Sequence, residues 1–180
     1  TQTQTFATPV SNVSYTANYT AALRSPENPT TTIQGLNYSY FQGTWSALPN
    51  FAALTPVSSG VVSTFDISPR SQNDNFGFRF TGYINVPASG VYTFYSSSDD
   101  GSKVYIGTTL VVNNDGLHAN LEASGQIGLL AGKHAITVDF FEQAGAEVLS
   151  VSYLGPTLAK QIIPASALFV APQTLTRNPV

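Results

Sequence analysis

Two adjacent acidic residues, Asp99 and Asp100, are the part of this 180-residue sequence with the clearest potential for chemistry. They follow three serines and precede Gly101. Neighbouring side chains on a strand point to opposite faces, so both carboxylates can meet one ligand only if the chain bends, as a cis peptide bond would allow. Two carboxylates held that close repel each other unless a cation offsets the repulsion. The pair therefore predicts either a hard-cation site or a solvated Asp-Asp-Gly turn, and the local sequence leaves both open.

A calcium ion needs about six to eight oxygen ligands, so two aspartates alone are too few. Further donors are predicted in residues 141–147, Phe-Glu-Gln-Ala-Gly-Ala-Glu, because this segment separates two strongly β-like runs. It contains an amide side chain at Gln143 and a flexible Gly145 between small alanines, which leave carbonyl oxygens accessible. The hypothesis is that the two segments meet around one ion.

Short alternating runs predict the strands that must position these segments. Residues 76–86 alternate phenylalanine with smaller or polar residues, which is the period of a strand with one buried face. Residues 87–90, Pro-Ala-Ser-Gly, predict a turn into a strand at 91–95, and we expect the two strands to pair as an antiparallel hairpin. Further strands are predicted at 103–106, 110–112, 134–141 and 148–153.

No segment has the period of a long amphipathic helix, and residues 163–169 predict only a short helical turn. The predicted fold class is therefore all-β: an antiparallel β-sandwich or jelly-roll-like barrel with few short helical turns. Residues 1–33, rich in Thr, Ser and Asn, are expected to be a lead-in that contributes at most an edge strand. The β-domain is predicted to span residues 34–170, and residues 171–180 are predicted to be a tail or linker.

The composition excludes several classes of function. Charged residues make up 9% of the chain, and its net charge is -3 without a basic cluster, which argues against a nucleic-acid partner. The absence of cysteine removes disulfides and thiolate chemistry. The sequence contains no run of about 18 apolar residues, so membrane insertion is not expected. With no methionine in the chain, the sequence is expected to be a mature secreted protein or a piece of a longer one.

Seven motifs in one order resemble the protective-antigen domain family, the fourteen-kilodalton β-module of bacterial toxins, glycosidases, adhesins and yeast flocculins. The resemblance covers residues 35–169. It is carried by residues 35–43 (GLNYSYFQG), 80–94 (FTGYINVPASGVYTF), 98–106 (SDDGSKVYI), 114–118 (NDGLH), 130–134 (LAGKH), 140–142 (FFE) and 153–156 (YLGP).

In lectin members of that family, the acidic pair has a cis peptide bond and binds calcium together with an amide side chain and backbone carbonyls of a later loop. The ion then binds sugar hydroxyls directly. The resemblance implies that Asp99 and Asp100 are carboxylate ligands, Gln143 the amide ligand, and Gly145 and Glu147 carbonyl donors.

The implied sugar-binding residues are Asp99, Asp100, Gln143, Glu147 and His118. Turn and packing roles are the alternative for Glu147 and His118, and also for Asn114, a further candidate at the rim.

The predicted function is a non-enzymatic, calcium-dependent carbohydrate-binding module of a secreted or cell-surface protein, with a bacterial source expected from the absence of cysteine and the few basic residues. Its expected partners are mono- or oligosaccharides and cell-surface glycans, bound by a monomeric module of a larger multidomain protein. One alternative is a structural spacer within a larger adhesin or glycosidase.

The other alternative is a glycosidase that uses two carboxylates. The sequence supplies five candidates for such a pair, but acids scattered through turns and strands are ordinary, and no Ser-His-Asp order or zinc-type histidine cluster accompanies them. The five are Asp99, Asp100, Asp139, Glu142 and Glu147.

Overall fold

The short runs of alternating residues form strands throughout the described part of the chain, which is residues 22–172 of a computed structural model. Helical structure there is limited to two 3-10 turns, Phe51–Ala53 and Ala165–Ala167. The strands are β1 (Ile33–Gln34), β2 (Leu36–Gln42), β3 (Ser58–Val62), β4 (Phe76–Val86), β5 (Gly90–Asp99), β6 (Ser102–Ile106), β7 (Thr109–Asn114), β8 (Leu121–Leu129), β9 (Gly132–Glu142), β10 (Val148–Gly155), β11 (Leu158–Ile162) and β12 (Leu168–Val170).

The larger of two sheets is built around β4. All eleven residues of β4 pair with β9, from Phe76 opposite Glu142 to Val86 opposite Gly132. The sheet order is β1-β12-β4-β9-β6-β7, with β2 also on β4 and β3 on β2. Because side chains alternate along a strand, Phe76, Phe78 and Phe80 all point to one face, where they are fully buried.

The smaller sheet has the order β11-β10-β5-β8 and covers that buried face. Its contribution to the core includes Tyr92 and Phe94 of β5 and Val151 of β10, all buried in the same cluster as the phenylalanines of β4. Every strand pairing within the described residues is antiparallel. The predicted fold class, an antiparallel β-sandwich with few short helical turns, is confirmed.

The predicted hairpin of β4 with β5 is wrong. The two strands lie in different sheets, since β4 pairs with β2, β9 and β12, whereas β5 pairs with β8 and β10. Residues 87–89 therefore carry the chain across the core from one sheet to the other. Both β4 and β5 bury aromatic side chains on one face. Both faces are covered when the two strands face each other across the sandwich.

The structure also contains strands that the sequence patterns did not predict: β3, β8, β11 and β12. Their side chains alternate less clearly between apolar and polar, and β8 is mostly exposed, with Glu122 and Gln126 on its outer side. Gly125 lies in the middle of β8 because a Cβ there would collide with the carbonyl oxygen of Val111. The helical turn predicted at 163–169 is present at Ala165–Ala167, and β12 follows it directly.

Residues 1–21 of the predicted lead-in and residues 173–180 of the predicted tail lie outside the described residues. Within the lead-in, Arg24 forms a parallel bridge with Leu129, and β1 pairs with β12 at the edge of the large sheet. The division of the chain at residues 33 and 170 stays a prediction. In residues 22–172, no helix is long and apolar enough to cross a membrane.

Candidate metal centre

Two connections between the sheets lie side by side at one end of the sandwich. The chain passes from β5 in the small sheet to β6 in the large sheet through Asp100 and Gly101. It returns from β9 to β10 through residues 143–147. Because β6 pairs with β9 and β10 pairs with β5, the two connections must be neighbours. The sandwich topology thus brings the acidic pair to the predicted second loop.

Three carboxylates converge between these connections. One oxygen each from Asp99, Asp100 and Glu142 lies within 4.8 Å of the other two. The peptide bond between Asp99 and Asp100 is cis. Asp99 is 9% exposed, Asp100 is 5% exposed and Glu142 is fully buried, so the cluster lies inside the mouth of the sandwich.

Hydrogen bonds from two loops fix the carboxylate of Asp100. Its Oδ1 accepts from the backbone amide of His118 at 3.0 Å, and its Oδ2 accepts from the backbone amide of Gln143 at 2.9 Å. Backbone amides hold a carboxylate more rigidly than long side chains do, because they lose little conformational entropy. Asp100 is therefore the group that joins loops 115–118 and 143–147 at the cluster.

Gly101 is required by the close approach of two chain segments. A Cβ at this position would collide with the ring of Phe141 and would lie 2.9 Å from the backbone nitrogen of Gly116. The Gly101 carbonyl accepts a hydrogen bond of 2.9 Å from the Phe141 amide, which ties the first connection to the end of β9. The Asp-Asp-Gly sequence is thus part of a packed junction and not a solvated turn.

Glu142 is the most deeply buried member of the cluster. Neither of its carboxylate oxygens has a hydrogen-bond partner. Burial raises the pKa of this carboxyl to about 8, and the negative charges of Asp100 and Asp99 act in the same direction. The Asp100 amide acts oppositely, although it does not reach hydrogen-bond geometry. A buried carboxylate is stable in its charged form only when it is paired or bound to a metal.

The predicted donors of the second loop lie close to the cluster in sequence, and their observed contacts differ. Gln143 is held through its backbone, since its amide reaches Asp100 and its carbonyl accepts from the Asn75 amide at 3.1 Å. The Gly145 amide donates to Asp74 Oδ1 at 3.4 Å. Their roles as calcium ligands stay predictions.

Glu147 comes directly before Val148, which pairs with Asp99 at the start of β10. Its carboxylate faces Arg70 at 3.9 Å, and its negative charge also helps to raise the pKa of Glu142. The predicted role of Glu147 in the calcium site is that of its carbonyl, which this ion pair leaves unaffected.

The imidazole of His118 is occupied by the protein itself. Its Nδ1 lies 3.0 Å from the carbonyl oxygen of Ala119 and its Nε2 lies 3.0 Å from the carbonyl oxygen of Asn114. His118 therefore contacts the cluster through its backbone amide, and its role in sugar binding stays a prediction. Asn114 is 5% exposed, and its side-chain amide donates to Ser98 and Leu121 inside the sandwich.

The acids that a glycosidase would need are divided between two faces of the large sheet. Glu142 lies on the inner face with Phe140, whereas Asp139 points outward and binds Arg79 through two hydrogen bonds of 2.7 Å. The three clustered acids contain only oxygen donors, which is the donor type that calcium prefers. The buried, unpartnered carboxylate of Glu142 is the feature that fits a cation.

From the sequence, Glu142 was assigned to the predicted second loop and was one of the candidate acids of a glycosidase, but it was not among the predicted calcium ligands. A signal was present, because Glu142 has the same parity as Ile136, Val138 and Phe140, which all face the core. A glutamate that continues an inward-facing apolar row has to be satisfied by another buried group.

Two comparisons link the chain to bacterial anti-sigma factors. The Anti-sigma-I factor RsgI3 of Acetivibrio thermocellus is 29% identical over 108 residues, which are 59% of this chain and 17% of that protein. The solved structure of an anti-sigma factor domain-containing protein superimposes with a TM-score of 0.68 at 23% identity, over 78% of this chain and 50% of that one. The chain thus spans about half, or less, of the length of these relatives.

A third comparison is with a domain whose description names a ligand class. The PA14 sugar-binding domain from an RTX adhesin superimposes with a TM-score of 0.65 at 16% identity, over 77% of this chain and 99% of that one. At such low identities, likeness to the solved structures demonstrates a common fold.

The family itself is identified by sequence. The sequence model of the PA14 domain matches residues 32–167 of this chain. PA14 is the protective-antigen domain that the motifs resemble, so that prediction is confirmed. Because the match spans well over half of the chain, the protein belongs to the PA14 domain family.

Proposed function

We propose that the protein is a calcium-dependent carbohydrate-binding module in which sugar hydroxyls coordinate the bound ion directly. The observation that supports this proposal most strongly is the convergence of three buried carboxylates at the mouth of the sandwich. Their oxygens come from the end of β5, from the connection after it and from the end of β9, so the site is built into the fold. A bound calcium ion would supply coordination positions that the protein leaves open to two adjacent hydroxyls.

The proposed ligand set follows from the two loops. Asp99 and Asp100 provide carboxylate oxygens, and Gln143 provides its side-chain amide oxygen. The carbonyls of Gly145 and Glu147 bring the protein ligands to about five, which leaves room for two sugar oxygens among the six to eight that calcium accepts. His118 and Glu147 are the proposed rim residues that contact the sugar.

The proposed partners are mono- or oligosaccharides of cell-surface glycans, and the proposed setting is a secreted or surface-exposed bacterial protein of several domains. The sugar-binding PA14 domain of the RTX adhesin supports this proposal by its shared fold. We propose binding without catalysis, because the clustered carboxylate oxygens lie within 4.8 Å of one another, closer than the roughly 5 to 9.5 Å between the paired acids of glycosidases.

A glycan array tests the proposal. The wild-type chain is expected to bind a subset of glycans in millimolar calcium and none in excess chelator, because the hydroxyls bind the ion. Asp99→Asn and Gln143→Ala are expected to abolish binding. Gln126→Ala is the matched control, since Gln126 is an exposed residue of β8 whose side chain donates a hydrogen bond to Thr93. Glycan binding that persists in chelator would contradict the mechanism.

A second candidate is a structural module of a larger protein, in which the ion only stabilises the junction between the sheets. It is favoured by the sequence similarity to the Anti-sigma-I factor RsgI3. This candidate predicts that calcium raises the melting temperature, while no glycan binds to the array. The two experiments together distinguish the candidates.

A further inference from the structure

We infer that Glu142 is a third carboxylate ligand of the calcium ion, in addition to the acidic pair. This inference rests on the proposed function only in its assumption that the cluster binds a cation. The Asp-Asp-Gly motif does not include Glu142, which reaches the cluster from a different strand, β9. The reasons are geometric and concern distance, direction and the absence of any other partner.

Distance permits a shared ion. Calcium binds oxygen at roughly 2.3 to 2.6 Å, so two oxygens on one ion are at most about 5.2 Å apart. The oxygens of Asp99, Asp100 and Glu142 are mutually within 4.8 Å. All three can therefore contact one ion with only a small contraction of the cluster.

Direction excludes most other uses of Glu142. It is the last residue of β9 and faces the interior, opposite Phe76 in the register of β4 and β9. Arg70 approaches the ring of Phe76 and contacts Glu147 at 3.9 Å. No ion pair joins Arg70 or any other described basic residue to Glu142.

The absence of partners makes the inference specific. Both carboxylate oxygens of Glu142 are buried, and neither accepts a hydrogen bond. A buried polar group left in this state destabilises the fold, and a charged one does so more strongly. Asp100, by contrast, already accepts two backbone hydrogen bonds. An ion therefore makes a larger difference for Glu142 than for Asp100.

Terbium luminescence tests the inference without any sugar. Tb³⁺ occupies calcium sites, and its emission lifetimes in H₂O and D₂O report the number of water molecules bound to the ion. Glu142→Leu keeps most of the side-chain volume and removes both carboxylate oxygens, whereas glutamine would keep an oxygen that calcium can bind. We expect this variant to bind Tb³⁺ and calcium at least about 10-fold more weakly, because calcium affinity depends on the number and charge of the ligands. We also expect about one additional bound water in place of the lost carboxylate oxygen.

Glu122→Leu is the matched control, because Glu122 is an exposed residue of β8 that pairs with Lys160. It is expected to match the wild type in affinity and in water number. Circular dichroism of each variant verifies the fold. Should Glu142→Leu misfold, Glu142→Asp provides the second measurement: the shorter side chain keeps the charge but withdraws the oxygen, so weaker binding with one more water is again expected.

The outcomes separate this inference from the proposed function. Unchanged affinity and water number in Glu142→Leu would overturn the inference, even if the wild type binds glycans. Weaker binding with an unchanged water number would also overturn it, because Glu142 would then act from outside the coordination shell. If the Glu142 variant binds the ion more weakly and with one more water, while the wild type binds no glycan, the inference is supported and the lectin proposal is contradicted. A wild type that binds no ion would overturn both.

Discussion

Behind the acidic pair, individual polar residues connect the two sheets. The hydroxyls of Ser96 and Ser98 on β5 both lie within 2.8 Å of the hydroxyl of Ser102 on β6, and all three residues are fully buried. Asn114 on β7 donates to Ser98 at 3.0 Å and to the Leu121 carbonyl at 2.9 Å. These bonds cross from one sheet to the other, so they fix the position from which Asp99 and Asp100 project.

Replacement of Asn114 tests the importance of this network. Asn114→Ala removes the amide and leaves buried acceptors without donors, so we expect a loss of about 2 to 3 kcal/mol in the free energy of unfolding. Urea denaturation in chelator measures the change. The neighbouring Asn113 is exposed, and Asn113→Ala is expected to change the stability by less than about 0.5 kcal/mol. Equal effects of the two substitutions would contradict the role assigned to Asn114.

Among the structural elements, the segment before β1 is fastened to the sandwich by a small group of polar contacts. Arg24 forms an ion pair with Glu27 and lies 2.8 Å from His134 Nδ1. Glu27 Oε2 also accepts from the backbone amide of Ala135 at 3.0 Å. The segment therefore crosses the ends of β8 and β9, at the sheet end opposite the acidic cluster.

The pH dependence of stability is expected to report on this fastening. The side chain of Arg24 lowers the pKa of Glu27 from 4.5 to about 2. Because the folded pKa is the lower one, the stabilisation is complete above pH 4.5 and is lost as the pH falls from 4.5 towards 2. Glu27 is about one third exposed, so solvent screening reduces the expected contribution to about 1 kcal/mol.

Glu27→Gln removes the titrating group and tests that expectation. Its stability at pH 7 is expected to be about 1 kcal/mol lower than that of the wild type. The difference should shrink as the pH falls through the window between 4.5 and 2. Chemical denaturation of both proteins across that window measures it. A difference that is independent of pH would show that the ionisation of Glu27 does not contribute.

At the scale of the whole molecule, ion binding and folding are coupled. The three carboxylates come from β5, from the connection after it and from β9, so they are close together only when both sheets are assembled. An ion that binds the folded chain therefore stabilises it, by about 2.7 kcal/mol at one hundred times the dissociation constant. For a chain of this size, such a gain raises the melting temperature by about 5 to 10 °C.

Thermal unfolding in calcium and in chelator measures this linkage. The wild type is expected to melt higher in calcium, and Asp99→Asn is expected to melt at nearly the same temperature in both conditions. The comparison holds for the lectin and for the structural module, so it tests the ion site itself. A calcium-dependent shift of equal size in Asp99→Asn would place the ion elsewhere on the protein.

The sequence by itself determined the class of fold and the identity of the acidic pair. Alternation in residues 76–86 is visible without a structure, because the two-residue period of a strand imprints burial on the sequence. The motif order also indicated the family, and the match of residues 32–167 confirmed it. Local patterns were less informative for β8, because Gly125 is required there by the close approach of the Val111 carbonyl oxygen on β7.

Only the tertiary structure decided how the sheets are connected and which side chains share the site. The turn after β4 locally predicts a hairpin. Whether β5 pairs with β4 or faces it across the core depends on which arrangement covers all of the apolar faces. Glu142 joined the cluster for a similar reason: its distance from Asp99 is set by the pairing of β9 with β6 and of β10 with β5. Strand periodicity is local and can be read from sequence, whereas sheet pairing depends on contacts between distant segments.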